Sequence, residues 1–432
     1  MDKALAVKGL RRRPGILRSE WGIWRNGLRL LRHYKETPDL TQGPHLRHIC
    51  HAFRVARMGR LALGGGIVAQ TANYWDETTY RSFTGGLSRR DLLGLLGAAG
   101  AGLALSSTGL AQTVAAGPRI VDTHHHIFPP NFTQRNLKRM TDDSPTFPGS
   151  FYTNWTPHYS LDQMDKNGVA TAIGSMTSPG VWFGDTAEGR RNARDCNEFG
   201  AKMAQDYPGR FGMWGAIPMP DTEGSLAEIE YIYDTLKLDG IGLMTSYDNG
   251  KLLGHPNFAP VLEEMNRRKA VVFVHPTSSC CAMPVPHVNR VAIDFPTDTA
   301  RTITDLVYSG SLMRFPNIRW IFSHGGGTVL MLTPRLAGAG LSPEERAAVI
   351  PNGFEHELQK LYYDIASVSL SPTPMAAVFK AISMEHLLFG SDIPFFTIER
   401  IATAVGKFEI SAADLRKIQR ENALGLLPRL KA

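Results

Sequence analysis

Long runs of apolar residues, each stopped abruptly by a histidine or an aspartate, give the chain from residue 120 onward its pattern. The first is Ile120-Val121-Asp122-Thr123-His124-His125-His126-Ile127-Phe128. Comparable runs reach His275 through Val271-Val272-Phe273-Val274, His324 through Ile318-Arg319-Trp320-Ile321-Phe322-Ser323, and Asp392 through Leu387-Leu388-Phe389-Gly390-Ser391. Near-continuous hydrophobic runs mark strands buried on both faces, as in parallel sheets. Further strands are expected at 169–176, 211–217, 240–244 and 361–366, with helical periodicity at 187–205, 225–236, 258–269, 298–309 and 374–382. Strands alternating with helices predict a parallel sheet, and eight of them predict closure into a (β/α)₈ barrel. In such a barrel the strand C-termini converge on one mouth, where polar groups carry the chemistry.

Between these elements, 128–155 shows little periodicity and is expected to form a long insertion over the mouth. The loop 277–293, with Pro284, Pro286, Cys280 and Cys281, is a second candidate lid. A helical tail is expected over 402–427. No repeat of 20–50 residues is evident.

The histidines and Asp392 change the picture from fold to site. Alternation along a strand places Asp122, His124 and His126 on one face, so two imidazoles at i and i+2 can approach one cation from the same direction. A histidine-rich turn without a ligand is the alternative for the tripeptide alone. Three later strands that also end in metal-type ligands argue against it.

Asp122-x-His124-x-His126, His275-Pro276, His324-Gly325 and Ser391-Asp392 resemble the amidohydrolase-related enzymes typified by aminocarboxymuconate semialdehyde decarboxylase. The resemblance spans roughly 119–428. The segments 239–247, 274–277 and 322–328 look like the 6-methylsalicylate decarboxylase branch. The resemblance implies a metal held by His124, His126, His275 and Asp392. A set of three His and one Asp suits zinc first and manganese next. Two-metal members of the superfamily carry a carboxylated lysine at the end of strand 4; here that strand ends Leu243-Met244-Thr245-Ser246, so one divalent metal per subunit is expected.

By the same resemblance His324 acts beside the metal. The glycines that follow it, Gly325 to Gly327, are expected to let substrate or water approach the backbone. A His-Gly-Gly-Gly stretch also occurs in lipase oxyanion loops, but the Gly-x-Ser-x-Gly elbow those enzymes require is absent from the chain. Two reactions fit. A metal-activated water could attack the carbonyl of a lactone, ester or amide. Alternatively, a hydroxylated aromatic acid resembling 6-methylsalicylate could lose CO₂ after a proton reaches its ring carbon, with Asp392 as proton carrier and His324 in support. Fold and ligand set do not decide between them. A metal-binding protein with a degenerate site is disfavoured, because no ligand position is missing.

Substrate hints are Phe128, Trp155, Trp182, Phe183, Tyr247, Phe395 and Phe396, all expected above the mouth and suited to a flat ring. Arg301 is a candidate anion contact that can reach across a subunit interface, and a homodimer or higher homo-oligomer is expected.

Charge divides the 432-residue chain. Residues 1–60 hold 14 Lys and Arg against 4 Asp and Glu, leaving 33 basic and 36 acidic residues for the remainder. The formal +7 therefore belongs to the head of the chain and does not argue for a nucleic-acid-binding core. Within that head, Ser88-Arg89-Arg90 precedes an apolar Gly/Ala-rich run from Gly94 to Leu105 and the small-residue stretch Gly109-Leu110-Ala111. This is the pattern of a twin-arginine export signal, and the run is too short for a comfortable membrane span. A buried Gly/Ala helix is its alternative. We expect 1–57 to be a basic extension that need not be translated, with Met58 as a start. Residues 58–111 then form the leader, and 112–432 the barrel domain, beginning near Gln112. Export predicts a periplasmic enzyme with no membrane span in the mature form, and a cytoplasmic one if the leader is not used. The four cysteines, Cys50, Cys196, Cys280 and Cys281, show no metal-finger spacing.

Overall fold

A computed structural model describes residues 120–278, 285–338 and 340–431. The basic extension, the twin-arginine leader with its cleavage region, Cys50, Cys280 and Cys281 lie outside the described residues.

Eight strands pair in parallel in sequence order: β1 (Ile120–His126), β2 (Val169–Ser175), β3 (Phe211–Ala216), β4 (Gly240–Met244), β5 (Val271–His275), β6 (Arg319–Phe322), β7 (Tyr362–Asp364) and β8 (Leu387–Leu388). The ring is joined between its first and last members by backbone bonds. Thr123 N–H donates to Phe389 O at 3.0 Å, Asp392 N–H to His124 O at 2.8 Å, and His126 N–H to Ile393 O at 2.9 Å. The seam of the barrel is therefore made by the segments that carry His124, His126 and Asp392.

Apolar side chains fill the barrel rather than leaving a pore, as the fold requires. Val121, Ile173, Trp214, Val271, Phe273, Ile321 and Leu388 form an inner cluster, closed from below by Ala423, Leu426 and Leu427 of the tail. A larger cluster lies between the strands and the surrounding helices.

The insertion after β1 departs from expectation. It forms helix α1 (Pro130–Asp143), a short turn at Gly149–Thr153 and helix α2 (Pro157–Lys166). Helix α1 buries Phe132, Asn136 and Met140 at i, i+4 and i+8. The polar middle member hides that period in the sequence. Asn136 is buried because its side-chain amide donates to Phe132 O at 3.0 Å and lies 3.5 Å from Asn192 Oδ1.

Helix α3 (Thr186–Asp206) follows the expected span closely, with Asp185 accepting from Glu188 N–H as its N-cap. Helices α4 (Thr222–Glu230, continued to Leu236 as a wider turn) and α5 (Ala259–Arg267) lie near their expected ranges. Helix α6 (Val291–Tyr308) begins seven residues earlier than expected because Pro296 lies inside it and reads as a stop. Beyond β6 stands α7 (Val329–Leu336), followed after β7 by α8 (Pro372–Ala381) and after β8 by α9 (Ile398–Val405). The remaining tail is broken into short turns over 412–431. No described helix is long and apolar enough to cross a membrane.

Candidate metal centre

All seven residues of β1 are buried, and its register against β2 shifts between Asp122 and His125. Such an irregularity re-aims side chains. His124 and His126 turn toward one point inside the mouth. The ring of His125 turns away: its Nδ1–H donates to Asp122 Oδ2 at 3.1 Å, and its Nε2 lies 2.8 Å from Ser160 Oγ, which also accepts from Trp155 Nε1–H. Asp122, expected to share a face with the inner histidines, leaves that face at the shift. Its carboxylate accepts from His124 N–H at 3.2 Å, Ser391 N–H at 2.9 Å and Ser391 Oγ–H at 2.6 Å, tying β1 to the chain beyond β8.

His124, His126, His275 and Asp392 each offer one ligand atom, and these atoms all lie within 4.8 Å of one another. His124 Nε2 is 3.0 Å from His126 Nε2, and Asp392 Oδ1 is 3.3 Å from the first and 3.1 Å from the second. A cation about 2.1 Å from each of its ligands sets them roughly 3.0–3.4 Å apart, so these edges fit. Asp392 Oδ1 is buried and has no hydrogen-bond partner. A lone carboxylate oxygen facing two imidazole nitrogens is costly without a cation to satisfy it.

The other nitrogen of each histidine is engaged. His124 Nδ1 meets Asp364 Oδ2 at 2.9 Å, His126 Nδ1 lies 3.1 Å from Ser175 Oγ, and His275 Nδ1 donates to Pro276 O at 2.7 Å. These contacts orient the rings and present Nε2 to the centre, the arrangement usual behind metal-binding histidines.

Asp364 is the functional residue that sequence reasoning missed. It ends β7 as the other donors end their strands, a signal that was present in Tyr362-Tyr363-Asp364. Besides His124 it accepts from His324 N–H at 3.1 Å and Ala366 N–H at 2.9 Å. Gly390 is required beside it, since a Cβ there would lie 2.7 Å from His124 Cβ and 3.0 Å from Asp364 Cβ.

Electrostatics follow from burial and neighbours. Burial alone would lower the pKa of His124, but the carboxylates of Asp364 and Asp392 outweigh it and push it up to about 10. Burial holds His126 below the ordinary imidazole value and His275 well below it. For Asp392, burial opposes ionisation, yet the surrounding imidazoles of His124, His126 and His324 hold its carboxyl well below the usual range.

His324 stands beside this group, with Nε2 3.1 Å from Asp392 Oδ2. Its side chain is 14% exposed and that of Asp392 8%, whereas those of His124 and His126 are fully buried. The reachable edge of the centre is thus the His324–Asp392 pair. Both residues hold positive φ angles, 56° and 61°, a conformation rare for residues with a side chain. The glycines after His324 differ from expectation. All three have positive φ, and the space a side chain would take is filled by protein: Val368 and Val378 at Gly325, Tyr363 at Gly326, and the backbone of Pro296 at Gly327. They serve the turn and its packing rather than the approach of a substrate.

Of the seven candidate aromatics, Phe395 reaches the centre, 5.5 Å from the His126 ring. Tyr247 borders an apolar cavity beside His275. Phe128 packs among Phe151, Tyr152 and Trp155, and Arg139 lies over Phe183. Trp182 covers α3 at Gly189, and Phe396 faces Arg400. At the end of β4, Thr245 Oγ1 donates to Asp298 Oδ2 at 2.6 Å and accepts from Thr277 N–H at 3.0 Å, bracing the turn after His275. Arg301 is half-exposed on α6 with its guanidinium 3.7 Å from Asp298. Cys196 is buried and its thiol is pushed up by that burial.

Known proteins resemble the chain in sequence and in fold. The chain is 34% identical over 331 residues to decarboxylase macB of Penicillium terrestre, covering 72% of this chain and 95% of that one. It is 33% identical over 326 residues to a 6-methylsalicylic acid decarboxylase of Penicillium expansum, covering 72% and 97%. A dihydroxybenzoic acid decarboxylase of Polaromonas sp. JS666, solved with bound manganese and the inhibitor 2-nitroresorcinol, shares the fold with a TM-score of 0.62 at 21% identity, covering 72% of this chain and 98% of that one. The amidohydrolase family profile matches residues 121–429, and with the barrel and its buried His₃Asp group in place, the chain belongs to the amidohydrolase family.

Proposed function

We propose that the protein decarboxylates a hydroxylated aromatic acid of the 6-methylsalicylate kind, with one divalent ion per subunit held by His124, His126, His275 and Asp392. The observation that carries this reading is the 33–34% identity to decarboxylases along nearly their full length, combined with a complete donor set. Three imidazoles and a carboxylate suit zinc, with manganese as the second choice. When bound, the ion supplies positive charge that fixes and polarises the acid's carboxylate and its neighbouring hydroxyl.

The residues of the chain supply the proton. A ring carbon bearing the carboxylate takes a proton, the carbon–carboxyl bond breaks, its electron pair returns to the ring, and CO₂ leaves. Asp392 is the proton carrier, because it is reachable and lies 3.1 Å from His324 Nε2. Its carboxyl is held well below the usual range, so Asp392 rests ionised and carries a proton to the ring only after receiving one. His324 is the reservoir from which that proton is replaced. The buried rings of His124 and His126, with the partly buried Phe395 beside them, limit the access of water to the centre.

CO₂ release from a panel of hydroxybenzoates by metal-replete protein, abolished by a chelator and restored by zinc or manganese, is the expected result. Turnover of lactones, esters or amides without CO₂ would replace this reading with hydrolysis. We further propose that 58–111 is an export leader and that the mature enzyme is a periplasmic homodimer or larger homo-oligomer. Exposed Met331 and Leu332 on α7 and Ile293 on α6 offer apolar surface for such contact. N-terminal sequencing of exported protein and sedimentation of the mature form check the two points.

A further inference from the structure

Beside His275, on the side of the mouth away from His324 and Asp392, lies a cavity that the proton-transfer chemistry does not use. Met176, Val181, Ala216, Ile217, Met244 and the His275 ring are among its walls. Its floor is Trp214 stacked on Phe273, with centroids 6.0 Å apart and planes at 14°. Among the described residues, no Asp, Glu, Lys or Arg lines it. The indole N–H of Trp214 is turned away, donating to Thr123 O at 2.8 Å. The Tyr247 oxygen accepts Met244 N–H at 2.8 Å.

The walls are held firmly. Asn197 bonds both backbone groups of Ala216, accepting from its N–H at 2.7 Å and donating to its O at 2.8 Å. His275 is fixed by Nδ1–H donation to Pro276 O. Gly180, at φ +79°, brings its backbone against Met244, where a Cβ would lie 3.0 Å from Met244 Cγ. The cavity is therefore a shaped recess opening on one of the donor imidazoles.

We infer that this recess is the subsite for an uncharged alkyl substituent on the substrate ring, next to the carboxylate, and that Met244 and Ala216 set the size it accepts. The inference rests on the decarboxylase reading for the ring and its carboxylate, and it adds where the alkyl group lies and which residues set its size. A ring acid seated at the donor group has its proton source on the β6–β8 side. Its substituent then points to the β2–β4 side, where the walls are apolar. A methyl group there gains burial. A second carboxylate would be buried with no basic side chain among the described lining residues, and a hydroxyl would meet mostly apolar side chains. One carbon in an apolar pocket changes selectivity roughly tenfold or more.

The test uses full-length, metal-replete protein and two readouts. Calorimetry measures binding of phenol, 3-methylphenol and 3-ethylphenol, which carry the substituent but no reacting carboxylate. Turnover is measured on salicylates bearing hydrogen, methyl, ethyl, hydroxyl or carboxylate at the carbon beside the carboxyl group. The expected result is a preference of about tenfold for methyl over hydrogen and over hydroxyl in the wild type. Met244→Ala should move the optimum to ethyl, and Ala216→Val should erase the methyl preference. Circular dichroism and metal content establish that each variant is folded. Equal wild-type affinities for phenol and 3-methylphenol would overturn the inference, whether or not the variants fold. So would folded variants that keep the wild-type ratios, which would make the cavity a packing void. If the binding ratios shift as expected while no acid releases CO₂, the subsite stands and the decarboxylase reading falls. CO₂ release with unchanged ratios gives the reverse.

Discussion

The two halves of the barrel mouth are built from opposite materials. From β5 round to β1 the strand ends present His275, His324, Asp364, Asp392, His124 and His126, nearly all buried and each held by a second contact. From β2 to β4 they present Met176, Ala216, Ile217 and Met244 around an apolar recess. The difference teaches how one fold separates chemistry from selection. Buried charge is tolerated only where partners answer it, so the reactive groups cluster and leave the opposite half free to recognise shape.

The largest expected effect comes from breaking the polar half at its reachable member. Asp392→Asn removes the negative charge among the three imidazoles and the proton carrier together. Turnover should fall by about 10³-fold or more, and bound metal should drop in elemental analysis. Full activity in a metal-free Asp392→Asn protein would end the proposed chemistry. Asp364→Asn should act more gently, because it touches the centre only through His124 and the His324 backbone. Metal affinity should weaken by roughly 10- to 100-fold, with a smaller loss of turnover at saturating metal.

Protons sharpen the same contrast. With His124 pushed up to about 10, the metal-free centre holds a proton at neutral pH that a cation must displace. Metal affinity should therefore rise about tenfold per pH unit across the neutral range, and calorimetry in buffers of different ionisation enthalpy should report about one proton released. The folded pKa lies above the unfolded one, near 6.5. This group therefore stabilises the metal-free fold fully below pH 6.5, and that contribution is lost as pH climbs toward 10. Metal-free protein should show a melting temperature that falls across this window, and metal-loaded protein should not.

The sequence carried the polar half far better than the apolar one. Strands that end in His or Asp announce themselves, and His124, His126, His275, His324 and Asp392 meet as that pattern implied. Asp364 ends a strand in the same way, but Tyr362 and Tyr363 before it read as ordinary core and mask the signal. Asp122 sits in an alternating pattern that a register shift cancels, and no residue type signals such a shift. Helix α1 was hidden by Asn136, a polar residue whose burial depends on a partner 56 positions away. The recess was not legible at all, since Met176, Ala216 and Met244 are unremarkable residues until the barrel brings their strand ends together. The glycines after His324 were visible, but their reason lies in distant Val368, Tyr363 and Pro296.

A further contrast sets the mouth against the closed end beneath it, and it carries the smallest expected effect. There Arg429 of the tail makes two bonds to buried Asp239, at 2.9 and 2.8 Å, and Asp239 also accepts Met213 N–H at 2.9 Å. Burial pushes the Asp239 carboxyl up, and Arg429 resists that rise. Arg429→Ala leaves the carboxylate buried with one partner. Because the guanidinium is half-exposed, the loss should be modest, about 1–2 kcal/mol by chemical denaturation at neutral pH. A carboxyl whose folded pKa is raised costs stability only where it must ionise, so the variant should lose more at pH 8 than at pH 4. Turnover and metal content should be unchanged, because the tail meets the inner cluster at Val121, Trp214 and Phe273 and not the donors above them. A fall in kcat at full metal occupancy would mean that the two ends are coupled through Trp214 and Phe273, and the separation of support from chemistry would not hold.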